Sequence, residues 1–277
     1  MKKHTWISVA TLTLILALTT ILPASGADRA LMMATTTSTD NTGLLDVLAP
    51  EFTKATGIEL KWTAVGTGKA LKMGENCDVD VLLVHAPAAE MKYVVDGFGI
   101  NRREIMYNDF VIIGPAADPA GVAKKSVKDA LGAIRAKKAI FVSRGDNSGT
   151  HKKELSLWES TGADLPEKEQ WYVQTGQGML TTINIAAERN GYTMTDRGTY
   201  IKYEANLNGN PPLKILVEGD KILLNQYSVL AVNPSNCEKS QFDLATEFSD
   251  WLAGGQAQGL IRDFKLMGKQ LFTPNAE

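Results

Sequence analysis

Residues 143–150 (SRGDNSGT) place an arginine, two serine hydroxyls, a threonine hydroxyl and two glycines between a predicted strand and a predicted helix. The strand is the apolar run at residues 139–142, and the helix is predicted to begin near His151. A helix N-terminus leaves backbone N–H groups without partners and carries partial positive charge, so it attracts anions. Arg144 adds a planar and permanently charged donor fork. The chemistry that this segment could do is the binding of an oxyanion.

Two other loops with hydroxyl groups or glycines follow predicted strands. Residues 35–41 (TTTSTDN) come after a predicted strand at residues 30–34. Residues 66–68 (GTG) come after a predicted strand at residues 58–65. Open α/β sheets bind ligands at the carboxyl ends of their strands. The hydroxyl and amide groups of these loops are therefore candidate donors to the same oxyanion.

Strand-like and helix-like runs alternate from end to end of the chain, which indicates an α/β fold. Residues 104–114 and 227–232 are apolar extended runs, and we interpret them as two strands that cross between two lobes. The first lobe is then discontinuous and contains residues 27–109 and 226–277. Residues 110–225 form the second lobe. In this arrangement the hydroxyl-rich loops face each other across a cleft.

The first 26 residues have the features of a secretory signal peptide, because Lys2 and Lys3 precede an apolar core at residues 6–22 and small residues follow it. Cleavage after Gly26 leaves 251 residues, enough for two medium-sized domains. The remaining chain has 27 basic and 31 acidic residues. This weak acidity argues against nucleic-acid binding, which requires many basic contacts. We expect a monomer in the periplasm.

Cysteine and histidine usage limits the other kinds of site. Cys77 and Cys237 fall in predicted loops and could pair in an oxidising compartment, but the sequence leaves this open. The three histidines, His4, His85 and His151, lie far apart in the sequence and have no metal-ligand spacing. We therefore expect no metal cation and no cofactor.

Four segments, in this order, resemble motifs of the TupA family, the periplasmic tungstate-binding proteins of ABC transporters. They are residues 35–38 (TTTS), 80–87 (DVLLVHAP), 143–151 (SRGDNSGTH) and 192–200 (YTMTDRGTY). The resemblance extends over essentially the whole mature chain. It implies a two-lobed type II periplasmic-binding-protein fold, a bound tungstate or molybdate, and membrane permease and ATPase subunits as partners.

The resemblance also implies which groups hold the oxyanion, with donors from both lobes and no catalytic residues. The implied donors are Thr35, Thr37, Ser38, Thr67, Gly68, Arg144, Ser148, Gly149 and Thr150, with further backbone donors near Gly178 and Thr195. The protein would be a binding protein and not an enzyme.

Two alternatives stay open. Tungstate oxygens only accept hydrogen bonds, whereas phosphate near pH 7 keeps a proton that needs an acceptor, so Asp146 or Asp196 facing the ligand would favour phosphate. We expect instead that Asp146 orients Arg144 or a loop amide, because an unpaired carboxylate beside an anion is costly. The other alternative is a secreted serine hydrolase, since residues 145–149 (GDNSG) resemble a serine-protease nucleophile loop. A histidine close in sequence, His151, does not make a triad, because triads assemble from distant segments.

Overall fold

The computed structural model describes residues 29–277, and the predicted signal peptide lies outside the described residues. The N-terminal part of this range alternates strands with helices. Its elements are β1 (Ala30–Thr36), α1 (Thr37–Asp40), α2 (Leu44–Thr56), β2 (Glu59–Val65), α3 (Thr67–Glu75), β3 (Val81–Val84), α4 (Pro87–Val95) and the long strand β4 (Gly99–Pro115).

The middle of the chain repeats the alternation with shorter strands. Its elements are α5 (Val127–Lys137), β5 (Phe141–Ser143), α6 (Gly149–Glu159), a 3-10 turn (Pro166–Lys168), β6 (Tyr172–Gln174), α7 (Met179–Glu188), β7 (Thr193–Asp196), α8 (Arg197–Asn206), β8 (Leu213–Val217) and a second 3-10 turn (Lys221–Leu223). The last part contains β9 (Leu224–Val232), α9 (Phe242–Ala253), α10 (Gly255–Asp263), β10 (Lys265–Leu266), β11 (Lys269–Gln270) and β12 (Thr273–Pro274). These elements confirm the predicted α/β class.

The first sheet has the order β2-β1-β3-β9-β4-β12. Strand β1 is parallel to β2 and β3, whereas β9 is antiparallel to β3 and β4. The register pairs Thr36 with Val65 and Thr35 with Leu83. The carboxyl ends of β1, β2 and β3 therefore reach the same edge of the sheet, and the loops that follow them are neighbours there.

A second group of strands pairs with the C-terminal part of β4. Strands β7 and β8 pair antiparallel with β4, and β5 is parallel to β6. An isolated parallel bridge pairs Phe141 with Tyr192 and so places β7 beside β5. Three residues after the bridge, the segment that contains Phe141 reaches Arg144, and the segment that contains Tyr192 reaches Thr195. The predicted donors of this part of the chain thus gather at one edge.

Strand β4 belongs to both groups of strands. Its residues from Gly99 to Asp109 pair with β9, and those from Phe110 to Pro115 pair with β7 and β8. The change of partners falls between Asp109 and Phe110. This position supports our proposal that residues 27–109 and 226–277 form one lobe and residues 110–225 the other.

Buried apolar side chains from the helices pack against both groups of strands. In α2, the apolar side chains of Leu44, Leu48 and Phe52 follow the helical repeat and are all buried. Phe52 meets Phe248 of α9 edge to face, with ring centroids 5.0 Å apart. In the proposed second lobe, Trp158 of α6 is fully buried. Each such side chain contributes about 1.5–3 kcal/mol on burial, so the sheet edges that carry the loops are firmly supported.

The cysteines that the sequence left open are joined in a disulfide. Cys77 lies just after α3, Cys237 lies after β9, and their Cα atoms are 5.5 Å apart. The bond links residues separated by 160 positions. It therefore ties the two separate segments of the proposed first lobe to each other.

The C-terminal region contains more structure than the sequence analysis predicted. Helix α9 ends before Gly254, and α10 and the edge strand β12 follow it. Helix α10 buries Ala257 and Ile261, and β12 pairs with β4. Within residues 29–277, no helix is long and apolar enough to cross a membrane.

Candidate oxyanion-binding site

The first half of the site lies at the carboxyl end of β1, where three successive threonines have different surroundings. Thr35 is fully buried, and its hydroxyl donates to the carbonyl oxygen of Leu83 at 2.8 Å. Thr36 caps α1, because its Oγ1 accepts from the amide of Thr39. Thr37 is exposed at the start of the helix. Of this run, the hydroxyl of Thr35 is engaged within the sheet and that of Thr37 is open to solvent.

His85 follows β3 directly and contacts the same run of hydroxyl groups. Its Nε2 lies 3.0 Å from both Ser38 Oγ and Thr36 Oγ1. Its Nδ1 lies 2.9 Å from Oδ1 of Asn225 on β9, and its ring stacks on Tyr227. Burial lowers the pKa of His85, against the opposing effects of the hydrogen bond with Asn225 and the charge of Asp196. The imidazole is therefore neutral at pH 7.

Helix α3 brings Thr67 and Gly68 to the same edge. It begins at Thr67 with Gly66 as an extended N-cap residue, and no side chain caps it. Thr67 is half-buried and Gly68 is exposed. The first amides of α3 are therefore not bonded to a capping side chain and could donate to an anion.

The second half of the site is the loop between β5 and α6. Asp146 accepts from Arg144 Nε at 3.1 Å and Nη2 at 2.5 Å on Oδ2, and from the Ser148 amide at 3.1 Å on Oδ1. Burial opposes ionisation of Asp146, but hydrogen bonds from Ser148 and Arg144 outweigh it and lower the pKa. Asp146 thus orients both Arg144 and a loop amide, which were the two roles expected from the sequence.

Helix α6 begins at Gly149, two residues earlier than expected, because Ser148 Oγ accepts from the amide of His151. The imidazole Nδ1 of His151 accepts in turn from the amide of Asn147. Gly149 is exposed, whereas Ser148 and Thr150 are half-buried. In the described chain, no histidine ring nitrogen is hydrogen-bonded to Ser148 Oγ. This loop therefore lacks the nucleophile–base contact that the hydrolase alternative requires.

The loop between β5 and α6, here called the arginine loop (residues 144–148), is hydrogen-bonded to the loop that precedes α7. The carbonyl oxygen of Arg144 accepts from the amide of Gly176 at 2.7 Å. Gly145 has φ +60, and a Cβ there would lie 2.7 Å from the Cβ of Gln174, so a side chain at Gly145 is excluded. Gly178 is exposed and precedes α7 as its N-cap residue, without a side-chain cap. The structure thus brings Gly178 next to the arginine loop.

A buried carboxyl group supports the arginine loop from below. Glu154 of α6 is 4% exposed and accepts from Ser143 Oγ and Tyr172 OH, both at 2.6 Å, and from Trp158 Nε1 at 3.1 Å. Ser143 Oγ accepts in turn from the amide of Gly145 at 3.2 Å. Burial raises the pKa of Glu154 to about 7, although its three hydrogen bonds act in the opposite direction.

We expect Glu154 to make stability depend on pH. Its pKa rises from 4.5 in the unfolded chain to about 7 in the folded protein, so the folded state holds a proton that the unfolded state has lost. Stability should therefore fall as pH rises from 4.5 to about 7, by up to about 3 kcal/mol at ~1.4 kcal/mol per pKa unit. Urea unfolding at several pH values checks this. Glu154→Gln should flatten the slope, and an unchanged slope would contradict the assignment.

Contacts from the start of α8 join the two halves of the site. Arg197 donates from Nε and Nη2 to the carboxylate of Asp109 at 2.5 and 2.6 Å, and Lys202 Nζ donates to the carbonyl oxygen of Asn41. Asp196 accepts from the amide and hydroxyl of Thr199, so it caps α8. Thr195 is fully buried in β7, and its hydroxyl donates to the carbonyl oxygen of Asp196. These contacts connect the segments that carry the two halves of the proposed site.

Comparison with known proteins identifies the family. Residues 23–256 match the family model described as the PBP superfamily domain. The chain is 52% identical over 240 residues to the tungstate-binding protein TupA of Campylobacter jejuni subsp. jejuni serotype O:2, covering 87% of this chain and 89% of that one. The chain belongs to the TupA family. Its fold is the type II periplasmic-binding-protein fold that the sequence resemblance implied.

Solved structures of the TupA family agree with this assignment. The tungstate-binding protein TupA from Desulfovibrio alaskensis G20 is 73% identical and has a TM-score of 0.88, covering 90% of this chain and 100% of that one. The tungstate ABC transporter structure from Geobacter sulfurreducens is 49% identical with a TM-score of 0.74, covering 85% and 98% of the two chains.

Sequence reasoning did not assign a role to His85 or Asn225, which lie beside the proposed site. Thr36, His85 and Asn225 take part in one hydrogen-bonded group beside Ser38. His85 could have been found, because it directly follows a strand whose carboxyl end shares an edge with β1. Asn225 gives no such signal, since its contact with His85 spans 140 residues. Among the described residues, no group of three or more His, Cys, Asp or Glu side chains could hold a metal ion.

Proposed function

We propose that this protein is the substrate-binding protein of an ABC importer and that it holds tungstate, or molybdate, in the cleft between its two lobes. The observation that carries the proposal is the character of the cleft. Hydroxyl groups, helix-start amides and Arg144 lie in the loops that would line it, and the two carboxylates in those loops, Asp146 and Asp196, accept from the protein's own donors. A ligand whose oxygens are all acceptors suits such a site.

The hydrogen bonds of the two carboxylates favour tungstate over phosphate. Hydrogen phosphate has one O–H group that requires an acceptor, and Asp146 and Asp196 lie close to the proposed donors Ser148 and Thr195 in the sequence. Asp146 already accepts from Arg144 and Ser148, and Asp196 from Thr199. Receiving a ligand proton would mean giving up one of these bonds, at a cost of about 1–3 kcal/mol for a buried donor left unpaired.

The proposed donors divide between the lobes. Arg144 with Ser148, Gly149 and Thr150 approaches from one side, and Thr37 and Ser38 with Thr67 and Gly68 approach from the other. The amides near Gly178 and Thr195 complete the set, while Thr35 supports the loop from within the sheet. Closing the lobes on the anion would give the permease and its ATPase a single liganded shape to recognise.

The relatives support the remaining parts of the proposal. Their names describe tungstate-binding proteins and a tungstate ABC transporter, so we infer that this chain acts in the periplasm without catalysis or a cofactor. Tungsten would enter as the oxyanion itself. We further infer that the protein is a monomer.

Calorimetric titration of the purified mature protein tests the proposal. Tungstate and molybdate should bind tightly, near nanomolar, which corresponds to about 12 kcal/mol and requires several charge-assisted hydrogen bonds. Sulfate and phosphate should bind much more weakly. Absence of heat with all four anions would refute the transport function, and tight phosphate binding without a tungstate response would refute the ligand assignment.

A further inference from the structure

The hydrogen-bond directions around His85 follow from a neighbouring amide. Nδ2 of Asn225 donates to Oδ1 of Asn108 at 2.8 Å, and that oxygen can only accept. The amide oxygen of Asn225 therefore faces His85 and accepts from the ring Nδ1–H at 2.9 Å. A neutral imidazole carries one proton, so Nε2 has none and must accept.

The ring nitrogen Nε2 then has one lone pair for two hydroxyl groups. Thr36 Oγ1 and Ser38 Oγ are both 3.0 Å away, and they are 3.1 Å from each other. Thr36 is 3% exposed, so its proton stays within the protein. Thr39 Oγ1 lies 2.7 Å from Thr36 Oγ1 and can donate to it, which leaves the Thr36 proton for His85. Ser38 is half-buried, so its hydroxyl is not closed off within the protein. When Thr36 donates to His85, the proton of Ser38 is free to point at an anion.

We propose that His85 is a positioning residue of the oxyanion site, which accepts the hydroxyl proton of Thr36 and thereby leaves Ser38 as a donor to the bound anion. This inference rests on the proposed function. The neutral state of the ring agrees with its burial, which lowers its pKa; the charged group that faces it is Asp196, and Tyr227 stacks on it.

The crossing strands hold the ring in this orientation. Asn108 lies on β4 and Asn225 on β9, and the two residues are direct partners in the sheet. Tyr227 of β9 stacks on the imidazole with ring centroids 4.7 Å apart, and its hydroxyl accepts from Asn225 at 3.2 Å. The donor geometry of Ser38 is thus fixed by the two strands that connect the lobes.

The order Ser38–His85–Asn225 also resembles a nucleophile, a base and an orienting residue. The site differs from a triad because Thr36 competes for the same ring nitrogen. Treatment with a fluorophosphonate probe distinguishes the two roles. We expect no labelling of Ser38, and covalent labelling at Ser38 would overturn the positioning role in favour of catalysis.

Two substitutions of His85 separate its two hydrogen bonds. The amide of His85→Gln reaches the position of Nε2 and can still accept from Thr36, whereas the shorter His85→Asn keeps the bond to Asn225 and loses the bond to Thr36. We expect His85→Asn to weaken tungstate binding about tenfold, the effect of one hydrogen bond, and His85→Gln to stay within about threefold of wild type.

Calorimetry with tungstate measures both variants, and thermal unfolding of the unliganded proteins shows that they are folded. Equal losses in the two variants, or no loss in His85→Asn, would overturn the role of His85 alone. A wild-type protein that binds no oxyanion would overturn the proposed function and this inference with it.

Nitrogen NMR of the unliganded protein supplies a second readout and an internal control. The neutral ring of His85 should carry its proton on Nδ1, as argued above. His151 should show the opposite tautomer when neutral, because its Nδ1 accepts from the amide of Asn147. A proton on Nε2 of His85 would contradict the proposal, since that nitrogen could then not accept from Thr36.

Discussion

Arg144→Glu is expected to abolish tungstate binding. Arg144 donates hydrogen bonds from Nε–H and one Nη2–H to Asp146. Two N–H groups on Nη1 and one on Nη2 therefore remain for a ligand. Hydrogen bonds to charged groups contribute about 1.5–3 kcal/mol each. Losing two of them and placing a second carboxylate beside Asp146 costs at least about 4 kcal/mol, or about a thousandfold in Kd.

The same substitution should change the stability of the unliganded protein only slightly. The side chains of Arg144 and Asp146 are each 20% exposed, and a solvent-accessible ion pair is worth about 0–1 kcal/mol. Asp146 keeps the amide of Ser148 as a donor after the change. Thermal unfolding without ligand should therefore move by only a few degrees, so that a lost affinity cannot be ascribed to a lost fold.

Arg262→Glu provides a matched control. Arg262 also pairs with a neighbouring aspartate, Asp263, but it lies on the surface of α10, and its side chain is 62% exposed. The substitution changes the net charge by the same amount. Calorimetry should show wild-type affinity for Arg262→Glu. An unchanged Kd for Arg144→Glu would place Arg144 outside the site, and an equal loss in both variants would attribute the effect to net charge.

The sequence predicted those parts of the structure that depend on local patterns. The apolar extended runs at residues 104–114 and 227–232 correctly predicted the strands β4 and β9, because burial imposes such patterns. Loops at the carboxyl ends of parallel strands must gather at one edge. The loop that carries Arg144 and the TTTS loop were found in this way.

The direction of individual hydrogen bonds could not be predicted in the same way. Thr35 and Thr36 end β1, and successive side chains in a strand point to opposite faces. The sequence does not say which face is buried, so it did not show that Thr35 donates within the sheet while Thr36 meets His85. That distinction depends on the register of β3 against β1, which is a property of distant segments.

The disulfide illustrates a second limit, because its two cysteines are far apart in sequence. Pairing requires the end of α3 and the end of β9 to meet, and that depends on β9 returning beside β3. The sequence placed each cysteine in a predicted loop and gave no information about its distance from the other. The sequence could show that a disulfide was chemically permitted, and the tertiary arrangement decides that it forms.

Replacing both cysteines, as Cys77→Ser with Cys237→Ala, is expected to lower stability strongly. The bond closes a loop across 160 positions, and the chain-entropy relation gives about 5 kcal/mol for such a loop, with measured disulfides nearer 2–4 kcal/mol. At about 2–4 °C per kcal/mol, the midpoint of thermal unfolding should fall by roughly 10 °C. Reduction of the wild-type protein should lower its unfolding midpoint by the same amount. The same reducing treatment should not change the unfolding midpoint of the double variant.

Tungstate affinity should be unaffected by this change. Thr67 starts α3 at the edge that carries the proposed donors, and Cys77 follows the other end of that nine-residue helix, about 13 Å away at 1.5 Å per residue. On the neighbouring strands, Val84 ends β3 at the donor edge, whereas Val232 ends β9 at the opposite edge, near Cys237. A fall in affinity equal to that of the Arg144 variant would contradict this separation.

The size of the stability loss also reports how the lobes unfold. The loop closed by the disulfide contains the whole proposed second lobe, residues 110–225. If both lobes unfold together, the full chain entropy of the loop applies, and the loss should approach 5 kcal/mol. If the first lobe unfolds while the second stays folded, β4 and β9 keep the ends of the second lobe close together, and the effective loop is shorter. A small loss with two separate transitions in calorimetry would therefore indicate lobes that unfold independently.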